Sequence, residues 1–219
     1  EKAQEHIREE KIGGKIATRL GNGLAPLEPG ETDTVIIAGM GGDLICKILK
    51  AKPEFLIEGK EFILQPQSEW FKIRRLLKEY RYQIEKEWFL KEDGKYYVII
   101  KAEPAWTQPQ RLKHQQPSIH EYIKEISDTQ VNQAVSEKDM ESIYEQYGKY
   151  LIETKNPVLK EYLEKEITKK ESIAAELKQS IKEIESEELS GKERGNIAKR
   201  QRRYQEIQKE IRDMRKAIG

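Results

Sequence analysis

The run Asp33-Thr-Val-Ile-Ile-Ala-Gly-Met-Gly-Gly-Asp43 constrains this chain more than any other, because an unbroken apolar strand leads into a glycine-rich turn and then a helix. Val35, Ile36, Ile37 and Ala38 show no polar alternation, which predicts a strand buried on both faces, as in a parallel sheet covered by helices. Gly39, Gly41 and Gly42 lack the Cβ atoms that would hold a ligand away from the backbone. Asp43 reads as the N-cap of an amphipathic helix carrying Leu44, Ile45, Ile48 and Leu49. α/β enzymes build ligand sites in this way, although a tight turn with nothing bound to it has the same residues.

The flanking sequence extends the pattern. Lys15-Ile-Ala-Thr-Arg-Leu20 alternates polar and apolar residues and ends at Gly21-Asn22-Gly23, which predicts a strand and a loop. A further strand, Glu61–Pro66, is followed by Ser68 as N-cap and a helix from Glu69 to Tyr80. Tyr82–Lys91 and Lys95–Glu103 flank Asp93-Gly94, the signal of an antiparallel hairpin. Strand, helix, strand, helix and a closing hairpin describe the second half of a doubly wound sheet, with ligands at the C-terminal ends of the strands. The turns at 21–23, 39–42 and 65–67 all follow strands and are expected to line one crevice.

From Pro104 to Pro117 the chain is rich in Gln and Pro and loses periodicity, as a linker or insertion does. Beyond Asn156-Pro157, Leu159, Leu163, Ile167, Ile173, Leu177, Ile181 and Ile184 form one apolar seam. After a break at Ser190–Gly195, Ile197, Tyr204, Ile207, Ile211, Met214 and Ile218 form a second. The expectation is an α/β domain over 1–104, then a linker and an antiparallel coiled coil over 105–219. Residues 192–216 hold ten Lys or Arg against Glu193, Glu206, Glu210 and Asp213, a local balance of +6 within a chain of net charge +1. Lys199, Arg200, Arg202 and Arg203 are its densest part, fitting either phosphates or a solvated helix face. Lys72, Arg74 and Arg75 make a second patch, for which pairing with Glu69 and Glu79 is the more ordinary account.

Several classes are excluded or disfavoured. No apolar stretch approaches the eighteen or so residues that span a bilayer, and mean hydropathy is −0.83. The single Cys46 allows no disulfide within the chain and reads as a small core residue. His6, His114 and His120 are scattered without metal-ligand spacing, so no metal site is expected. The turn lacks the Gly-Lys-Ser/Thr ending of a nucleotide-phosphate loop. A reducing cytoplasm and a monomeric state are the expectations. The chain opens on Glu1-Lys-Ala-Gln-Glu-His-Ile-Arg-Glu-Glu-Lys11 without an initiator methionine, which reads as part of an exposed helix and creates the expectation of an N-terminal truncation.

Arg-Leu-Gly-Asn-Gly-Leu24, Ala-Gly-Met-Gly-Gly42, Leu-Gln-Pro66 and the hairpin at Glu-Asp-Gly-Lys-Tyr-Tyr97 occur in an order that resembles the bacterial tRNA (adenine-22-N1)-methyltransferases of the TrmK type. Tyr-Gly-Lys-Tyr-Leu151 and Asn-Pro-Val-Leu-Lys-Glu-Tyr-Leu163 continue the likeness. The resemblance implies a Rossmann-like class I, S-adenosylmethionine-dependent methyltransferase domain followed by a coiled coil that helps hold tRNA. It implies cofactor contacts at Asn22, Gly23 and Gly39. Gly39, Met40, Gly41 and Gly42 would lie between methyl donor and base, and Gln65 and Gln67 would face the extruded nucleotide or cap their strand. With a coiled coil that holds tRNA, the basic cluster Lys199, Arg200, Arg202 and Arg203 is the expected grip on its phosphates. The family's first strand and first cofactor loop have no counterpart after residue 1, so the 219 residues alone are expected to bind cofactor weakly and not to turn over. A noncatalytic RNA-binding or protein-interaction module is the alternative.

Overall fold

The computed structural model describes residues 2–105, 135–185 and 191–219. A short helix α1 (Lys2–Glu9) precedes a mixed sheet of β1 (Thr34–Met40), β2 (Glu61–Pro66), β3 (Tyr82–Glu92) and β4 (Lys95–Pro104), ordered β1-β2-β4-β3. β1 and β2 are parallel, from Thr34 opposite Glu61 to Met40 opposite Pro66. The crossover between them runs through α2 (Gly42–Ala51) and α3 (Glu54–Ile57), and α4 (Trp70–Glu79) follows β2. β4 is antiparallel to both β2 and β3. The expected hairpin forms at Asp93-Gly94, where φ of 47° and 75° gives a two-residue turn whose twist matches the strands.

One sheet face is filled by Val35, Ile37, Phe62, Leu64, Val98, Ile100 and Ala102 and joins Ile45, Leu49, Ile73 and Leu77 of the helices in one core. A truncation such as Leu64→Ala there costs about 2–5 kcal/mol. The other face is not what the apolar run predicts. Val35 and Ile37 are buried, but Ile36 is 67% exposed and Ala38 is exposed as well. β1 is an edge strand, and no described helix covers its second face. The strand expected at 15–20 is absent: those residues pair with nothing in the sheet and Leu20 lies fully in solvent. Both expected caps also shift. Gly41 precedes α2, with Asp43 inside its first turn, and Glu69 rather than Ser68 precedes α4, in a left-handed conformation (φ 54°).

The C-terminal part comprises α5 (Val135–Tyr147), α6 (Lys149–Glu153), α7 (Pro157–Glu185) and α8 (Gly191–Ile218). Asn156 Oδ1 accepts from the Val158 and Leu159 amides at 3.0 Å, and Pro157 takes the first helical position, where its missing N–H costs nothing. Lys170 pairs with Glu210 and Arg200 with Ser180, so α7 and α8 run antiparallel. Leu163, Ile167, Ala174 and Ile181 line the α7 seam, whereas Ile173 is 47% exposed. The steps from 167 to 174 to 181 are strict heptads, and Ile173 lies one residue off that stripe. The Gln- and Pro-rich stretch beyond 105 lies outside the described residues, as does Ser190; from Gly191 the expected break is already helix.

Two fastenings join α7 to the hairpin. Glu161 accepts from Lys91 at 2.6 Å, from the Tyr96 hydroxyl at 3.2 Å and from Lys165 at 2.7 Å. Beside it Trp70, Phe89, Tyr96 and Tyr162 form an aromatic cluster with neighbouring centroids 5.0–5.9 Å apart, each ring from a different element.

Candidate active site at the glycine turn

The turn begins with a register break. Ala38 faces Gln65 and Met40 faces Pro66, leaving Gly39 as a bulge with φ of 79° that only glycine adopts without strain. Its amide, out of the ladder, donates to Gln65 Oε1 at 2.8 Å. On the next residues the Gln67 amide donates to the Met40 carbonyl at 2.8 Å, and the Gly42 amide to the Ser68 carbonyl at 2.9 Å. The approach is close enough to require glycine at 42: a Cβ there would lie 2.6 Å from the Glu69 carbonyl oxygen. The residues after β2 therefore hold the residues after β1.

What remains free at this turn is informative. Among the described residues, no heavy atom beyond its chain neighbours lies within 4 Å of where a Gly39 Cβ would stand. Gln65 Nε2 is buried and has no hydrogen-bond partner among the described residues. Met40 is 38% exposed. Asp43, the nearest carboxylate in sequence, is committed to Lys47 (2.7 Å) and Lys72 (2.9 Å). Those hydrogen bonds pull its carboxyl down to about 2. Lys72 is raised to about 12 by Glu69 and Asp43. The turn thus offers backbone amides and carbonyls and one orphan amide donor, which is equipment for alignment rather than for proton transfer.

The predicted site residues separate into three groups. Gly39, Met40, Gly41 and Gly42 are brought together with Gln65 and Gln67. Asn22 is exposed, and Gly23 (φ 57°) rests on α2, where a Cβ would meet Ile48 Cγ2 at 2.8 Å. That loop leans on the helix the turn opens, without a hydrogen bond from the Asn22 side chain among the described residues. On α8, Lys199 and Arg202 are exposed, Arg200 reaches Ser180 on α7, and Arg203 is shared between Glu206 and Glu210.

The second basic patch is used internally. Lys72 does pair with Glu69, but Arg74 is buried on Glu87 and Arg75 reaches Glu145 of α5, while Glu79 goes to Lys50. Only Arg74's place on the inward stripe of α4, with Ile73 and Leu77, could have signalled this. The carboxylates of Glu61, Glu85 and Glu103 converge, yet around the Lys101 ammonium at 2.6–3.3 Å. Among the described residues no helix is long and apolar enough to cross a membrane.

The family described as TrmK: tRNA (adenine(22)-N(1))-methyltransferase matches residues 1–145. The chain is 32% identical over 162 residues, 59% of its length and 67% of the relative's, to the tRNA (adenine(22)-N(1))-methyltransferase of Bacillus subtilis (strain 168). It is similar in structure to the crystal structure of the B. subtilis M1A22 tRNA methyltransferase TrmK, with TM-score 0.66 and 24% identity over 99% of this chain and 76% of that one. It is also similar to Streptococcus pneumoniae Sp1610, a putative tRNA (m1A22) methyltransferase solved in complex with S-adenosyl-L-methionine. There the TM-score is 0.61 and the identity 22%, over 99% and 75% of the two chains. At such identities these structures establish the Rossmann-like fold.

Proposed function

The chain belongs to the TrmK family of tRNA (adenine(22)-N(1))-methyltransferases, and from that premise we propose that the Gly39–Gly42 turn is where N1 of a tRNA adenine, at position 22, receives its methyl group. The observation that carries this is the clamp from Gln65 and Gln67, which fixes a glycine-rich turn with open space at Gly39. That open space and the orphan Gln65 Nε2 suit a bound S-adenosylmethionine, which supplies an electrophilic methyl on a sulfonium. Gly39 and the Asn22-Gly23 loop are the residues of this chain we assign to holding it.

Adenine N1 carries its lone pair at neutral pH, so no side chain need remove a proton first. N1 lies on the pairing edge, so the base must leave its stack, at a cost of about a few kcal/mol. The task left to the protein is to hold the base in line. A fixed turn converts an encounter into a positioned reaction, which supplies several kcal/mol of the barrier. Positive charge develops on the adenine as the bond forms, and carbonyl dipoles of the turn stabilise it. We assign the tRNA phosphates to Lys199, Arg200, Arg202 and Arg203, and read α7 and α8 as an antiparallel coiled coil that presents them. We place the protein in the cytoplasm, where its substrate is.

The test is methyl transfer from labelled S-adenosylmethionine to unmodified tRNA by the native protein, with the modified nucleotide mapped. Label at N1 of adenine 22 is the expected result. Bound tRNA without label would overturn the assignment in favour of a noncatalytic RNA-binding module.

A further inference from the structure

Between the sheet layer and the long helices lies a cavity of about 650 Å³ that starts at Gln67 and Ser68, the residues bonded to Met40 and Gly42. From that end its walls are Trp70 and Phe71 of α4, Tyr147 of α5, Tyr162 of α7 and Asp213 of α8. The volume is that of a small-molecule site, and the lining sets flat aromatic rings beside the carboxylates of Glu69, Glu166, Glu210 and Asp213. Three cavity carboxylates are occupied: Glu69 holds Lys72, Glu166 holds Lys169 and Glu210 holds Lys170. Asp213 makes no ion pair or hydrogen bond among the described residues.

These features select a ligand. A carboxylate accepts hydrogen bonds and repels phosphate, so the phosphodiester must stay outside. Aromatic walls stack a base whatever its sequence identity, because every base has a π-face. An exocyclic amine, as on adenine, cytosine or guanine, is the donor that Asp213 lacks. The cavity also lies on a line. One end adjoins the glycine turn, and Asp213 is ten residues from Arg203, about 15 Å along α8.

We propose that this cavity is a base-binding subsite that takes the amine-bearing nucleobase of an unpaired nucleotide flanking the one presented to the glycine turn. It rests on reading the protein as a tRNA methyltransferase. In it the phosphates are gripped outside on α8, the flanking base stacks in the cavity, and the target base lies at the turn.

The probe is a short single-stranded oligoribonucleotide carrying one 2-aminopurine, whose fluorescence is quenched on stacking. Two variants with circular dichroism and melting like the parent test it: Ser142→Met, which fills the cavity from an exposed position on α5, and Asp213→Asn, which keeps its shape. Binding should quench the parent, Ser142→Met should abolish the quench, and Asp213→Asn should raise the midpoint about tenfold. Both variants should weaken tRNA binding with an unchanged salt slope, since no phosphate contact is lost. Fluorescence unaltered on binding, or a quench that survives both substitutions, would overturn the subsite while leaving the methyltransferase reading intact. If neither the oligonucleotide nor tRNA binds, both fall together.

Discussion

Arg74 Nε donates to Glu87 Oε1 at 2.7 Å with the two residues only 4% and 2% exposed. The same guanidinium donates through Nη1 to the Glu145 and Gln146 carbonyls, at 3.1 and 3.0 Å, where α5 ends. A helix C-terminus presents unpaired carbonyls that favour a cation. One side chain therefore ties α4, β3 and α5 together. Arg74→Met strands a buried carboxylate and should cost about 3–5 kcal/mol in urea denaturation near neutral pH. Burial already pushes the Glu87 carboxyl up. Without Arg74 it should take a proton more readily, so the deficit should shrink as pH falls.

Gly148 closes the same joint. Its φ is 93°, and a Cβ there would stand 2.4 Å from Glu87 Oε2 and 2.9 Å from Arg74 Nη2. Gly148→Ala should destabilise the protein by about 1–3 kcal/mol from backbone strain alone. Added displacement of Glu87 should speed hydrogen exchange in α5 and α6 ahead of the sheet.

Gln65 supplies the acceptor for the bulged Gly39 amide. Gln65→Leu should lower kcat for methyl transfer about tenfold to a hundredfold, as small misplacements of a reacting group do. Melting temperature and tRNA affinity should change little. Gln65→Glu keeps the acceptor and should recover most of the rate; if it does not, the orphan Nε2 donor matters instead.

Lys199 and Arg202 are exposed, while Arg203 is shared with Glu206 and Glu210. Alanine at 199 or at 202 should each reduce the salt slope of tRNA binding by about one, uniformly across tRNA sequences. Alanine at 203 should do less. An unchanged slope in all three would move the phosphate contacts elsewhere.

The pH profile of stability follows from exposed ion pairs. Glu161 and Glu31 are pulled from 4.5 to about 2, Glu161 chiefly by Lys165 and Glu31 by Arg19, and Asp43 from 3.8 to about 2 by Lys47 and then Lys72. Their contribution is complete above the unfolded values and is lost as pH falls toward 2. Lys72, raised from 10.5 to about 12, contributes below the lower figure and loses its effect as pH climbs through the higher. Urea midpoints should be flat through neutrality and decline at both ends. Glu161→Gln should shallow the acid limb.

What was legible in the sequence was local. The strand, glycine turn and helix at 34–51, the Asp93-Gly94 hairpin and the heptads of α7 each declare themselves within one continuous stretch of chain. What was illegible depends on partners. Lys15–Leu20 alternates like a strand, but alternation cannot supply a neighbour to pair with. The Val35–Ala38 run is apolar throughout, and composition does not show that only one face is covered. Arg74 and Glu87 look like surface charges until a glycine 74 residues after the arginine closes over them. In the site, the bulge and its Gln65 clamp arise from register between two strands, which no single stretch of sequence contains.

The aromatic fastening of α7 gives the basic helix a pivot. Met214 is buried and lines the same cavity as Trp70 and Tyr162, while Lys199 and Arg202 stand about 20 Å away along α8. Over such an arm an angular change of about 5° swings the cationic tip by about 2 Å, several times the spread of about 0.5 Å in the length of a phosphate hydrogen bond. The packing angles of Trp70, Phe89, Tyr96 and Tyr162 thereby govern reach, and a mutation at Phe89 or Tyr96, which do not line the cavity, would alter where along a nucleic acid the charges land.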